Sequence, residues 1–435
     1  MTNRRSLACA LLALGASPLL TSAASTPLYN LIDANGVVES IAQYSTAGAW
    51  NWEDYATVEL TLRVPIPGNP SVPFTPTQAS SDPQCTLSTY SAQAVKYAVS
   101  NCTYIVVDNL TVPGNTTLNL AKTKANTVIE FRGRTTWEFA QANYNLLQVG
   151  GVNLTVQGTP GSVIDGNGAA WWDGIGSNGG IAKPDHMIVA SGISGYGLFR
   201  NLYIKNAPTH VFSISNVNNL FMAGNVIDMK DGHKILSNGL EAAHNTDGYD
   251  LSTTTNAVLS NNLVYNEDDC VAITSGQYIS VSNFWCDGSH GLSIGSVGGK
   301  SNNTVADITF RDSVVLNAQN GARIKTNSGT TGSITRVLYE NIRVQNISIY
   351  GIDIQQDYLN GGPTGIPTPG VNITDITMRN IYGTVQSTAY NYYILVATPS
   401  TNAASWTFEN VYITGGNASC DSVPAGFDCK SSLRS

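Results

Sequence analysis

The chain reads as an all-β protein, a parallel β-helix solenoid with a short capping helix at its N-terminal end, on three observations. The first is an imperfect repeat in which apolar and polar residues alternate, an Asn or Asp intervenes, and the alternation resumes. It occurs at residues 198–204 around Asn201, 220–227 around Asn225, 258–264 around Asn262 and 279–285 around Asn283. Later copies centre on Asp312, Asn341, Asn380 and Asn410. The second is the period. Successive turn positions lie 21 to 39 residues apart, whereas the strands of a β-sandwich recur every ~8–12 residues with hairpin signals between them. The third is composition: 41 glycines, 20 tyrosines and only 12% charged residues favour strands and turns over helices.

Each element follows from that reading. One coil cannot bury its own apolar side, so coils stack at the ~4.8 Å spacing of paired strands. Asn suits the turns because it tolerates left-handed backbone angles and bonds its own backbone, and stacked turns would form an Asn ladder. The ends of the stack need covers. Residues 88–100 carry Ala92, Ala94, Val95 and Ala98 at near-helical spacing between Cys85 and Cys102, which predicts the N-terminal cap. The segment between Cys420 and Cys429 is expected to close the other end.

Upstream of the solenoid the organisation changes. Residues 1–24 hold Arg4 and Arg5, an apolar run from Leu7 to Leu20, and small residues at 22–24, the layout of a secretory signal peptide. The run is shorter than the ~20 residues of a membrane span. Residues 25–64 form an extension with Trp50 and Trp52, read as a segment packed on the solenoid or as a small sugar-binding module. Residues 65–84 form a Pro-rich linker, and 85–435 the β-helix domain.

Secretion implies disulfides. Once Cys9 leaves with the signal, Cys85, Cys102, Cys270, Cys286, Cys420 and Cys429 remain. Three local pairs, 85–102, 270–286 and 420–429, are the simplest of ~15 pairings. The absence of a CxxC and the scarcity of His weigh against a metal centre. Sequons at Asn101, Asn109, Asn115, Asn153, Asn302, Asn346, Asn372 and Asn417 are glycosylation candidates. A net charge of −8 disfavours nucleic acid and anionic membranes as partners.

Four polar clusters interrupt the repeat in fixed order: Asn245-Thr246-Asp247, Asp268-Asp269, Gly288-Ser289-His290-Gly291 and Arg323-Ile324-Lys325. Cleaving a glycosidic bond with inversion needs a protonated carboxyl at the leaving oxygen. It also needs a carboxylate ~6.5–9.5 Å away to activate water. Crowded carboxylates supply both, because like charges push one pKa upward. An isolated Asp pair serves turns or calcium more often, but Asp247 precedes Asp268 by 21 residues and His290 follows Asp269 by 21. That interval fits one short coil and aligns the clusters on one face. Arg323 and Lys325 flank Ile324, so in a strand both point outward while Ile324 enters the core. Two cations together suit carboxylate recognition, the alternative being an ordinary solvated face.

The four clusters resemble the signature segments of glycoside hydrolase family 28, the polygalacturonases, and the resemblance runs from about Cys85 to Cys429. The stretches 291–298, 163–168 with Trp171-Trp172-Asp173, and Tyr350 through Gln355-Gln356-Asp357-Tyr358 also resemble fungal endo-polygalacturonases. The resemblance implies a right-handed parallel β-helix that hydrolyses polygalacturonate (pectin) with inversion, as a monomer, without cofactor or metal. Asp268 would be the general acid, with Asp247 and Asp269 activating water and His290 assisting the acid. Arg323 and Lys325 would bind a galacturonate carboxylate, and Tyr358 and Asn245 would contact substrate.

Three positions depart from the family pattern. Ser289 stands where endo-acting relatives have Gly, as in many exo-acting and xylogalacturonan-cleaving members. Glu267 adds an acid beside Asp268 and is expected to point away from the cleft. Residues 397–405 lack a common cysteine pair. The alternatives are an exo-polygalacturonase or xylogalacturonan hydrolase of the same family, or a non-catalytic pectin-binding β-helix.

Overall fold

The computed structural model describes residues 81–159, 161–360, 362–397 and 402–430. The expected signal peptide, the extension at 25–64 and all of the linker but its last four residues lie outside that set.

Parallel pairing runs through the whole described stack, each strand bonded to its counterparts one coil before and after. The strands fall on three faces. One face carries the strands His210–Ser215, Tyr249–Ser252, Val271–Ile273, Leu292–Val297, Asn320–Asn327, Tyr350–Tyr358 and Tyr390–Leu395 in succession. Its inward residues stack in register: Phe212, Tyr249, Val271, Leu292, Ala322, Ile352 and Tyr392, all within the core. The rings of Phe212 and Tyr249 lie 5.2 Å apart and nearly coplanar. Each of the larger aliphatic side chains and Phe212 contributes about 1.5–3 kcal/mol by leaving water, so the register is set by burial. A slip of one residue would put this row into solvent.

The repeat motif spans the turn between the other two faces. Asn201, Asn283, Asp312, Asn341, Asn380 and Asn410 hold φ between 51° and 56°, the left-handed turn expected of them. The ladder forms: Asn341 donates to Asp312 at 2.8 Å, Asn380 to Asn341 at 3.0 Å, and Asn410 to Asn380 at 3.0 Å. Two turn assignments shift by one residue. The left-handed positions are Gly224 and Asn261, whereas Asn225 and Asn262 are wholly buried. There Asn225 Oδ1 accepts from the Leu202 amide at 3.1 Å, and Asn262 Oδ1 accepts from the Asn225 amide at 2.9 Å. Adjacent Gly-Asn and Asn-Asn pairs gave the alternation rule no means of choosing between them.

Both ends are covered. The helix Ala92–Asn101 begins at Ser91, whose hydroxyl accepts from the Ala94 amide, and presents Val95 and Ala98 to the first coil, with Ala92 exposed. Phe427 packs edge-on against Tyr392 and Phe408 at the other end. All three expected disulfides are formed. None of the eight sequon asparagines is buried, although Asn153 and Asn346 spend their Nδ2 on neighbouring coils.

Candidate active site

The site lies on the face described above, where strand ends and turns of consecutive coils bring the four clusters to one cleft. Tyr249 pairs with Val271, and Val271 with Leu292, so Asp247 falls level with Asp269, and Asp269 with His290. The first step is one residue longer than the expected interval. Asp247 therefore meets Asp269, its neighbour one coil on, and Asp268 sits beside them both. One oxygen from each of the three carboxylates lies within 4.8 Å of the others. That is closer than the ~6.5–9.5 Å of a two-carboxylate inverting pair.

Each carboxylate has its own partners. Asp268 Oδ1 takes the Asp269 amide at 2.7 Å and lies 3.0 Å from His290 Nδ1, while its Oδ2 accepts from Asn245 at 3.0 Å. Asp269 is gripped by Ser293 Oγ at 2.5 Å and by Lys325 Nζ at 2.7 Å. Asp247 Oδ1 stands 3.0 Å from His210 Nδ1, which also lies 3.3 Å from Asp250. The Cys270–Cys286 disulfide follows directly after Asp269 and ties this turn to the coil beyond.

The third cluster is a backbone device. Gly291 sits at φ 96°, and a Cβ there would meet the Asn320 and Gly321 carbonyls at 2.3 and 2.5 Å. Only glycine lets the chain pass so close, and this crossing carries His290 to Asp268. Ser289 is fully buried, its hydroxyl accepting from the Gly291 amide at 3.1 Å. The departure from Gly at this position therefore adds nothing to the cleft wall.

Ile324 enters the core while Arg323 and Lys325 both turn to the side of Tyr358, as expected, and Lys325 lines the cleft. Arg323 Nε lies 3.2 Å from Asp353, its register partner on the next coil. The Tyr358 ring covers both cations, 5.5 Å from the Arg323 guanidinium carbon and 5.1 Å from Lys325 Nζ. Asn245, at φ 54°, also accepts from the Ser177 amide and Asn178 Nδ2, each at 3.1 Å. This fixes the loop after Asp173 against the cleft, and Asp173 holds that loop through two amides and Lys183. Glu267 points away from the cleft, as expected. It is buried on Thr246, whose hydroxyl donates to it at 2.6 Å, with His233 3.4 Å off.

The charges are strongly coupled. Burial, with Asp268 and Asp250 nearby, pushes Asp247 up to about 7, against the pull of His210. Burial also presses Asp268 upward, but His290, Lys325 and the Asp269 amide outweigh it and hold that carboxyl well below its usual range. Burial lowers His290, yet Asp268 and Asp269 raise it above the usual imidazole value. Asp247, Asp268 and Asp269 have the spacing a cation would bridge, but Lys325, His290 and His210 already supply the countercharge.

Sequence reasoning missed His210, Asp250, Ser293 and Asp353. One signal was available: the 37 residues from Asn225 to Asn262, applied back from Asp247, land on His210. Ser293 and Asp353 follow from strand register, which only pairing reveals.

The family described as Glycosyl hydrolases family 28 matches residues 102–429. A probable endopolygalacturonase D of Neosartorya fischeri is 46% identical over 78% of this chain and 71% of its own length. A polygalacturonase of Fusarium fujikuroi is 47% identical over 78% and 91%. Among solved structures, endopolygalacturonase I of Stereum purpureum, complexed with two galacturonates, superimposes with a TM-score of 0.67 at 26% identity. It covers 78% of this chain and 98% of that one.

Proposed function

The chain belongs to glycosyl hydrolases family 28, and from that premise we propose that it is a secreted endo-polygalacturonase. It hydrolyses the α-1,4-galacturonosyl links of pectin with inversion. The observation that carries this reading is that Asp247, Asp268, Asp269 and Lys325 line one cleft, with His290 against Asp268 and with Arg323 and Lys325 both against Tyr358. The identity with relatives named endopolygalacturonase supports the endo mode.

Asp268 is the acid, and its proton is stored on its partner. An imidazolium at His290 beside an ionised Asp268 has the same proton count as neutral His290 beside a protonated Asp268. The couple can therefore deliver one proton to the leaving oxygen at Asp268 while His290 becomes neutral. Asp247 and Asp269 take up the attacking water. Asp269 has both oxygens engaged and Asp268 has three partners, which suits neither to attack carbon as a nucleophile. Arg323 and Lys325 hold the carboxylate of the sugar beside the cleaved bond, with Tyr358 against its ring.

The short spacing of the carboxylates by itself resembles a retaining pair, so the stereochemistry is tested directly. Proton NMR of the first-formed product should show the β-anomer, and a first-formed α-anomer would refute inversion. Digestion of polygalacturonate tests the activity: viscosity should fall well ahead of reducing-end release. Monomer release at nearly constant viscosity would point to exo attack, and no product to a binding protein. Secretion rests on the leader-like first 24 residues, the three disulfides and the surface position of the sequons. N-terminal sequencing of protein from culture medium should begin downstream of residue 20.

A further inference from the structure

We propose that His210 is the positioning residue for Asp247, an imidazolium that eases ionisation of this carboxylate and stands against its Oδ1, leaving Oδ2 for water. The inference rests on the polygalacturonase reading and assigns a residue outside the four clusters.

The placement is dictated by register. Phe212 pairs with Tyr249, so His210 lies directly alongside Asp247 on the preceding coil. Its Nδ1 is 3.0 Å from Asp247 Oδ1 and 3.3 Å from Asp250 Oδ2. Both Nδ1 and Oδ1 are buried, and neither makes an aligned hydrogen bond. What joins them is charge, which a neutral imidazole would not supply. His186 flanks the ring at 5.2 Å and is itself paired with Asp185 at 2.9 Å.

The surroundings make a cation necessary. Asp250 and Asp268 both face Asp247 and oppose a third negative charge. Lys325 is committed to Asp269, and Lys300, also in the cleft wall, interacts with Asp250. Burial works in the same direction as the two carboxylates. Without His210, Asp247 would keep its proton to still higher pH, and a protonated carboxyl cannot accept one from water. The reverse influence is consistent: burial lowers His210, but Asp247 and Asp250 outweigh it and hold the ring well above its ordinary value.

The test is the pH profile of kcat on polygalacturonate for the wild type, His210→Gln and His210→Lys. Gln removes the charge and keeps a donor, so the acid limb should move up by about one pH unit or more. Below that limb kcat should fall about tenfold, while KM stays within about twofold. Lys restores a cation and should bring the limb back. A loss that is equal at every pH, or a limb that stays put in Gln or stays shifted in Lys, overturns the proposal. A second readout needs neither activity nor a variant. Only five histidines are present, and the assigned His210 imidazole should remain protonated above pH 7 by NMR. Titration at or below its ordinary value of ~6.5 overturns the assignment. A wild type inactive on polygalacturonate refutes the functional reading instead, and leaves the NMR result to decide this one.

Discussion

Replacing Glu267 with Gln should make the protein more stable in alkali and change little in acid. Glu267 has only 3% of its side chain exposed. Burial pushes its carboxyl from 4.5 up to about 8, with Glu241, Asp228 and Asp268 adding to the rise and the Thr246 hydroxyl opposing it. A carboxyl whose folded pKa is raised binds its proton more tightly in the native state. Its ionisation therefore costs stability, progressively, as pH rises from about 4.5 through about 8. At 1.36 kcal/mol per unit, the cost is about 1 kcal/mol at pH 5, about 3 at pH 7 and between about 4 and 5 at pH 9. Gln mimics the protonated acid: its carbonyl can accept from Thr246 and its amide can face His233. Urea unfolding followed by tryptophan fluorescence at pH 5, 7 and 9 measures the difference. The variant's midpoint should pull ahead as pH rises, and Tm should follow at about 2 °C per kcal/mol. A gap between variant and wild type that is the same at all three pH values would show Glu267 already ionised at pH 5, and would refute the reasoning.

Four further outcomes follow from particular contacts. Asp268→Asn should lower kcat on polygalacturonate by a factor of about 10²–10⁴, with the unfolding midpoint near that of the wild type; activity within tenfold of normal would displace Asp268 as the acid. Lys325→Met strands Asp269 in the interior, a loss of about 3–5 kcal/mol, which should appear in urea unfolding together with a raised KM. Removing the Cys270–Cys286 bridge with paired Ser substitutions reopens a loop of 16 residues and should cost about 3 kcal/mol in the same unfolding assay. Asn380→Ala deletes two ladder bonds at a position with φ 54° and should cost about 2–3 kcal/mol. Asn380→Gly, free of the backbone strain, should lose measurably less.

How far the sequence reached differs between scaffold and site. The solenoid was legible because its determinants are local and repeated. Alternation marks strands, Asn marks left-handed turns, and burial punishes any slip in register. The ladder from Asp312 to Asn410 and the three disulfides could therefore be anticipated. Where two turn residues stood side by side, at Gly224-Asn225 and Asn261-Asn262, alternation did not distinguish them, and only packing chose which side chain went inside.

The four clusters were likewise visible from residue type and order, including the outward aim of Arg323 and Lys325 around Ile324. The sequence by itself determined a parallel β-helix, its staples, and which residue types the cleft would offer. Tertiary structure decided who pairs with whom. A coil one residue longer sets Asp247 against Asp269, and stacking brings His210 to Asp247 and Asp353 to Arg323. It also buries Ser289 away from the cleft. Protonation follows from these placements, because burial and the Coulomb energy between neighbours depend on distances across coils, which sequence order does not contain.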